Sequence, residues 1–265
     1  MNNRHCIITG GSSGIGLAAA QQLVQEGFSV SLIARRQSQL DIAKESLAQN
    51  LISIDQKILL LSADVSNREQ ITAALNSAIE KMGPPDVLIT SAGIAEPGYF
   101  DDIAIESYEA AMQINYLGTV YAVKAVLPSM RQQGGKILMV SSGAGLIGIF
   151  GYTAYSPTKF ALRGFAESLH AELKSSNVSV SIIYPPDTDT PQLAQENLTK
   201  PEETKIMTAT AGVWSAESVA KKMIKGMNEG TFAITPGFDL SMLYRFGSLI
   251  SPLLQRYWAW QTRKL

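Results

Sequence analysis

Cysteine, histidine and net charge are all scarce in this chain of 265 residues. The single cysteine, Cys6, excludes an intrachain disulfide and makes a reducing compartment the default. One thiol cannot build a cysteine-rich metal site either. The two histidines, His5 and His170, lie far apart, so a zinc centre or a histidine-based triad lacks material and no metal is expected. Lys plus Arg number 22 and Asp plus Glu 23, for a formal net charge of −1. With no basic excess to neutralise phosphates, no nucleic-acid partner is expected. Charged residues make up 17%, below the roughly 25% of ordinary soluble domains, while hydrophobic residues reach 46%. That balance excludes intrinsic disorder. No window holds the roughly 18 uncharged apolar residues of a membrane span. The start lacks a basic region followed by an apolar stretch and a cleavage site. A cytoplasmic protein is the expectation.

What is present is a regular alternation of short apolar runs and longer amphipathic segments. Strands are expected at 6–9, 28–34, 57–62, 87–90, 136–141, 178–184 and 232–235. Helices are expected at 14–26, 37–50, 67–82, 105–131, 152–175 and 216–228. Ile7-Ile8, Leu88-Ile89 and Ile137 to Val140 are apolar without alternation, as in strands buried on both faces of a parallel sheet. The expected architecture is a single-domain α/β Rossmann fold, with a doubly wound, seven-stranded, mostly parallel sheet and helices on both faces. The domain is expected over 1–237, with an apolar C-terminal extension over 238–265.

The first strand runs into Thr9-Gly10-Gly11-Ser12-Ser13-Gly14-Ile15-Gly16, which opens a helix. A diphosphate needs close backbone approach and free N–H donors at a helix N-terminus. Gly10 suits the tight turn, Gly14 the approach of the pyrophosphate, and Gly16 close helix–strand packing. Ser12, Ser13 and Ile15 complete the candidate phosphate loop. No Lys-Ser/Thr pair follows the last glycine, so it is not a Walker A loop. The second strand ends in Ala34-Arg35-Arg36. A carboxylate there would bind a ribose 2′-hydroxyl, whereas a guanidinium suits a 2′-phosphate. NADP(H) is therefore the expected cofactor, with Arg35 as main contact and Arg36 as support.

Tyr155-Ser156-Pro157-Thr158-Lys159 places a phenol and an ammonium one helical turn apart. A neighbouring cation is expected to lower the phenol pKa and make it a usable acid for reducing a ketone. That pair alone is weak evidence, and its context decides. Ser142 follows the fifth strand, where its hydroxyl could hydrogen-bond a carbonyl oxygen. Asn115 lies within the long helical region, where Asn is a poor helix former.

These residues together resemble the short-chain dehydrogenase/reductase family over nearly the whole chain. The resemblance runs through Gly10, Gly14 and Gly16, Asp64-Val65, Ala92-Gly93, Asn115, Ser142, Tyr155 and Lys159. It implies that Asp64 contacts adenine, that Val65, Ala92 and Gly93 lie along the cofactor, and that Asn115, Ser142, Tyr155 and Lys159 form a catalytic tetrad. It further implies a carbonyl oxygen oriented by Ser142 and protonated by Tyr155. Lys159 then holds the nicotinamide ribose, and Asn115 binds a water that relays protons to Lys159. Pro185 and Thr188 border the nicotinamide. Two departures stand out: Thr90-Ser91 replaces the usual Asn-Asn, which weakens a structural hydrogen bond, and Pro186 replaces a usual Gly. A homodimer or homotetramer packed through the two long helices is implied as well.

The run Tyr184-Pro185-Pro186-Asp187-Thr188-Asp189-Thr190-Pro191, with Glu196-Asn197 and Thr199-Lys200-Pro201 after it, is similar to the subfamily that reduces 3-ketosphinganine with NADPH. A lipid-like ketone is thus the expected substrate. A 3-oxoacyl thioester, a steroid or a retinoid is the alternative. A catalytically silent NADP(H)-sensing protein would have lost the Tyr or the Lys. Thr188 or Thr190 is expected to cap the next helix. Beyond Phe238 the chain is rich in Leu, Tyr, Phe and Trp, is broken by Pro252, and reaches Arg263-Lys264. This extension could be a lid, a subunit contact, or a peripheral membrane-surface segment. Tyr152 and Phe150 are candidate pocket residues. His170, Glu167 and Glu172 are expected at a helix surface, and Cys6 in the core.

Overall fold

The computed structural model describes residues 4–209 and 212–263, so Lys264 lies outside the described residues. The first half runs β1 (His5–Thr9), α1 (Gly14–Gln25), β2 (Ser29–Ala34), α2 (Gln37–Ala48), β3 (Ile58–Ser62), α3 (Arg68–Met82) and β4 (Val87–Thr90). There follow α4 (Ile105–Ala111), a π-helical stretch (Met112–Leu117), α5 (Gly118–Gln133), β5 (Gly135–Val140), α6 (Ser156–Leu173) and β6 (Val178–Ile183). The last part holds β7 (Thr188–Asp189), α7 (Pro191–Glu196), α8 (Glu202–Thr208), β8 (Trp214–Ser215), α9 (Ala216–Asn228), β9 (Ala233–Ile234) and α10 (Phe238–Thr262).

Seven strands form one sheet in the order β3-β2-β1-β4-β5-β6-β9, and every pairing is parallel. The continuous apolar runs follow from burial on both faces. Ile7, Leu88, Ile137 and Met139 point into one core with α3, α5 and α6. Their neighbours Cys6, Ile8, Val87, Ile89 and Leu138 point into the other, with α1, α2 and α9. Successive side chains alternate faces, so a strand between two helical layers has no polar side to show. Thr188–Asp189 and Trp214–Ser215 form a separate parallel ribbon.

β1 pairs with β2 on one side and with β4 on the other. The chain therefore winds outward through β3 and returns across β1. A crevice opens where the winding reverses, at the carboxyl ends of these strands, and ligands of open α/β sheets bind there.

Three local departures from the sequence reading have physical causes. The expected single helix 105–131 contains the π stretch Met112–Leu117, with Asn115 fully buried inside it. A π turn inserts an extra residue and re-aims one side chain. The expected helix 152–175 begins only at Ser156, because Pro157 sits in its first turn, where no N–H is needed. Tyr155 is therefore the residue that enters the helix. In α10 the interruption lies at Phe246 (φ −125°, ψ 20°), not at Pro252, which the second segment accommodates. Thr190, rather than Thr188, caps the next helix, its hydroxyl accepting from the Leu193 N–H at 3.2 Å. Among the described residues, no helix is long and apolar enough to cross a membrane.

Candidate active site

A single cavity of about 610 Å³ opens over the crevice. At one end lie Gly10, Ser12, Ser13, Gly14 and Ile15. Gly10 has φ 70°, and a Cβ there would come within 2.6 Å of the Ala92 nitrogen. Only glycine lets the first turn and the Ala92-Gly93 segment approach so closely. Gly16 does not line the cavity; any Cβ on it would collide with the Gly10 carbonyl oxygen. It lets α1 dock beneath the loop. Ser13 caps α1 without a side-chain hydrogen bond, so the first-turn N–H donors stay uncapped beside the cavity.

Arg35 and Arg36 line the same end and are exposed. Asp64 and Val65 line the cavity beside them. The Asp64 carboxylate accepts from the Ser66 N–H and hydroxyl at 2.9 and 2.7 Å, which holds the turn after β3. Ala92 and Gly93 follow β4 along the cavity floor. Two guanidiniums, uncapped amides and a floor of the small residues Ala92 and Gly93 fit a phosphorylated dinucleotide.

At the other end the cavity reaches Ser142, Tyr155 and Lys159. Ser142 lies two residues beyond β5 and caps a short helical turn at Gly143–Gly145, its oxygen accepting from the Ala144 N–H at 3.1 Å. Lys159 is 5% exposed, and its ammonium donates to the Val140 carbonyl at 3.1 Å. That ammonium lies 5.4 Å from the centre of the Tyr155 ring. Pro185 and Thr188 also line the cavity. The Thr188 hydroxyl donates to the Pro186 carbonyl at 2.8 Å.

Asn115 does not line the cavity. Its side-chain oxygen accepts from the Ile94 N–H at 2.8 Å. Its amide donates to the Ile94 carbonyl at 2.9 Å and to the Thr158 hydroxyl at 3.0 Å. The side chain thus clamps the Gly93-Ile94 backbone to the start of α6, and it makes no hydrogen bond to Lys159. Thr158, the residue that completes this clamp, gave no signal in the sequence.

The electrostatics correct one expectation. Burial pushes the Tyr155 phenol well above its ordinary pKa, the nearby Glu196 carboxylate pushes it further, and a Ser142 hydrogen bond opposes both. The Lys159 ammonium, 5.4 Å from the ring centre, does not reverse this, and burial pulls its own pKa down to about 8. Desolvation outweighs the pairing that the spacing suggested. The phenol is consequently held in its protonated form near neutral pH.

The cavity also contains residues outside the expected catalytic and cofactor-binding sets. Tyr152 lines it, as expected, and its hydroxyl donates to the Glu196 carboxylate at 2.7 Å. Phe150 does not line it and instead packs edge-on against Tyr99. Asp187 and Lys200 form an ion pair of 3.0 Å with the Lys200 side chain 1% exposed. Leu240, Leu243, Ile250, Leu254 and Trp258 bring α10 down as an apolar wall. Their periodicity is visible in the sequence, but which surface they face is not. Among the described residues, no group of His, Cys, Asp and Glu could hold a metal ion.

Comparison with known proteins matches this arrangement to one family. A family model described as short chain dehydrogenase matches residues 4–201. A 3-dehydrosphinganine reductase from Danio rerio is 43% identical over 255 residues, spanning 96% of this chain and 77% of that protein. A 3-ketodihydrosphingosine reductase from Bos taurus is 44% identical over 241 residues, or 90% and 73% of the two chains. Among solved structures, an actinorhodin polyketide ketoreductase with NADPH superposes with a TM-score of 0.80 at 24% identity, covering 90% of this chain and 97% of that one.

Proposed function

The chain belongs to the short-chain dehydrogenase family, and from that premise we propose that it reduces a lipid-like ketone, 3-ketodihydrosphingosine, to the secondary alcohol with NADPH. One observation carries the reading. A single cavity joins the arginine-flanked phosphate loop to Ser142, Tyr155 and Lys159. The names of the relatives support the choice of ketone.

Each role falls to residues already placed by the fold. Ser12, Ser13, Gly14 and Ile15 hold the diphosphate through backbone donors, and Arg35 with Arg36 holds the 2′-phosphate. Asp64 and Val65 take the adenine end. Ala92 and Gly93 leave room for the nicotinamide half, which Pro185 and Thr188 border. When bound, the cofactor supplies the electron pair and hydrogen that reach the carbonyl carbon. The Ser142 hydroxyl orients the carbonyl oxygen, and Tyr155 gives that oxygen its proton. The Lys159 ammonium then stands beside the phenolate until it is reprotonated from solvent. Asn115 acts by holding the Gly93-Ile94 backbone and Thr158 in place. The raised Tyr155 pKa keeps the phenol protonated, which is the form that reduction consumes.

The exposed face of α10 presents Phe246, Leu249, Leu253 and Trp260, with Arg245 and Arg256 on the same helix. We assign this face to peripheral membrane contact, and the assembly to two or four copies packed through α5 and α6. Sedimentation with anionic vesicles and light scattering test these two points. For the reaction, NADPH consumption is measured with 3-ketosphinganine beside a 3-oxoacyl thioester, with NADH in parallel. Turnover of the sphingoid ketone with NADPH preference is expected. Turnover of the thioester alone would overturn the substrate assignment.

A further inference from the structure

We propose that Glu196 is the receptor for a cationic amine on the carbon next to the substrate's ketone, which makes it a specificity-determining residue. The inference deepens the reductase reading above and rests on it.

The first argument is position. Glu196 closes α7, and its carboxylate accepts the Tyr152 hydroxyl at 2.7 Å. The Tyr152 ring lies 5.3 Å from the Tyr155 ring. The carboxylate acts electrostatically on both the Tyr155 phenol and the Lys159 ammonium. It lines the same cavity as the Tyr155 phenol that protonates the ketone oxygen.

The second argument is charge. Glu196 is 7% exposed and lines the cavity. Its other hydrogen bond, 2.9 Å from the Gln192 side-chain amide, also comes from a neutral donor. Among the described residues it makes no ion pair. Asp187, on the same wall, is matched by Lys200. Lys159 donates to the Val140 carbonyl and, among the described residues, makes no ion pair with Glu196. Buried carboxylates are ordinarily paired, and a carboxylate has about four acceptor sites, of which Glu196 uses two here. The missing partner is a cation that arrives with the substrate.

The third argument is the apolar wall. Leu240, Leu243, Ile250 and Leu254 of α10 offer an apolar surface suited to an alkyl chain. A ketone flanked by an ammonium on one side and a long chain on the other meets both walls. A 3-oxoacyl thioester would leave Glu196 desolvated and unpaired, and such a mismatch excludes a competitor.

The test compares a long-chain 2-amino-1-hydroxy-3-ketone with its des-amino analogue, using NADPH. In the native enzyme kcat/KM is expected to favour the amine at least tenfold. Glu196→Gln is expected to cut that ratio at least tenfold, through KM, and Glu196→Asp to recover part of it. Because Glu196 also acts on Tyr155 and Lys159, its removal changes both rates, and this cancels in the ratio. An unchanged ratio in Glu196→Gln overturns the proposal. So does a native enzyme indifferent to the amine, a result that needs no variant to fold and leaves the reductase reading standing. A native enzyme that reduces neither ketone overturns the reductase reading itself, and the proposal with it.

Discussion

The Lys159 ammonium donates to the Val140 carbonyl at 3.1 Å, tying the end of β5 to the first turns of α6. This bond is made inside the protein, and burial lowers the Lys159 pKa to about 8. The connection between β5 and α6 carries Ser142 near its start and Tyr155 at its end. The catalytic groups are thereby fixed by backbone elements, not by loops alone.

The first consequence concerns pH. Lys159 is charged below about pH 8 and neutral above it. Tyr155 keeps its proton over the same range, since its pKa is raised. The reductive rate is therefore expected to fall as pH rises through about 8, when the phenolate loses its neighbouring cation. Lys159→Arg, whose guanidinium stays charged, is expected to remove that alkaline limb while lowering the rate overall. A pH–rate profile of the two proteins checks it. A limb unmoved in the arginine variant would reject Lys159 as its source.

Cofactor choice follows from the end of β2. Arg35→Ala is expected to raise the KM for NADPH by about 10- to 100-fold, the scale of a charge-assisted hydrogen bond to a phosphate. Arg36→Ala is expected to do less. The KM for NADH, which lacks the 2′-phosphate, is expected to move little in either variant. Initial rates with the two cofactors distinguish this from general damage to the loop.

A stability effect is expected at Thr90. Its hydroxyl is buried in β4 and has no hydrogen-bond partner among the described residues. Thr90→Val removes the orphaned oxygen and keeps the shape and strand preference of the side chain. It is expected to stabilise the fold by about 1 kcal/mol, raising Tm by roughly 2–4 °C for a domain of this size. Thermal unfolding followed by circular dichroism measures it.

The sheet was legible because its strands are apolar on both faces, which a sequence shows directly in Ile7-Ile8, Leu88-Ile89 and Ile137 to Val140. The phosphate loop was legible because glycines are demanded there by clashes that any Cβ would create. Other features depend on packing that no local pattern encodes. The π stretch around Asn115 carries one poor helix former as its only local signal, and the clamp on Ile94 is what accompanies the bulge. α7 and α8 span 6 and 7 residues, too short for a 3.6-residue period to stand out. Glu196 therefore stood out only as part of the run that carries the resemblance, with no role of its own. The direction of the Tyr155 pKa was misread for a related reason. Spacing puts Lys159 near the phenol, but it does not report how thoroughly both groups are removed from water.

The most direct measurement is steady-state reduction of 3-ketosphinganine by the native protein and by Tyr155→Phe, with NADPH binding measured separately for each. General acid catalysis contributes about 10²–10⁴-fold. The expected result is NADPH-dependent turnover by the native protein, a loss of kcat on that scale in the variant, and nearly equal NADPH affinity. A phenylalanine variant that reduces the ketone at the native rate would contradict Tyr155 as the proton donor, and with it the mechanism built around this cavity.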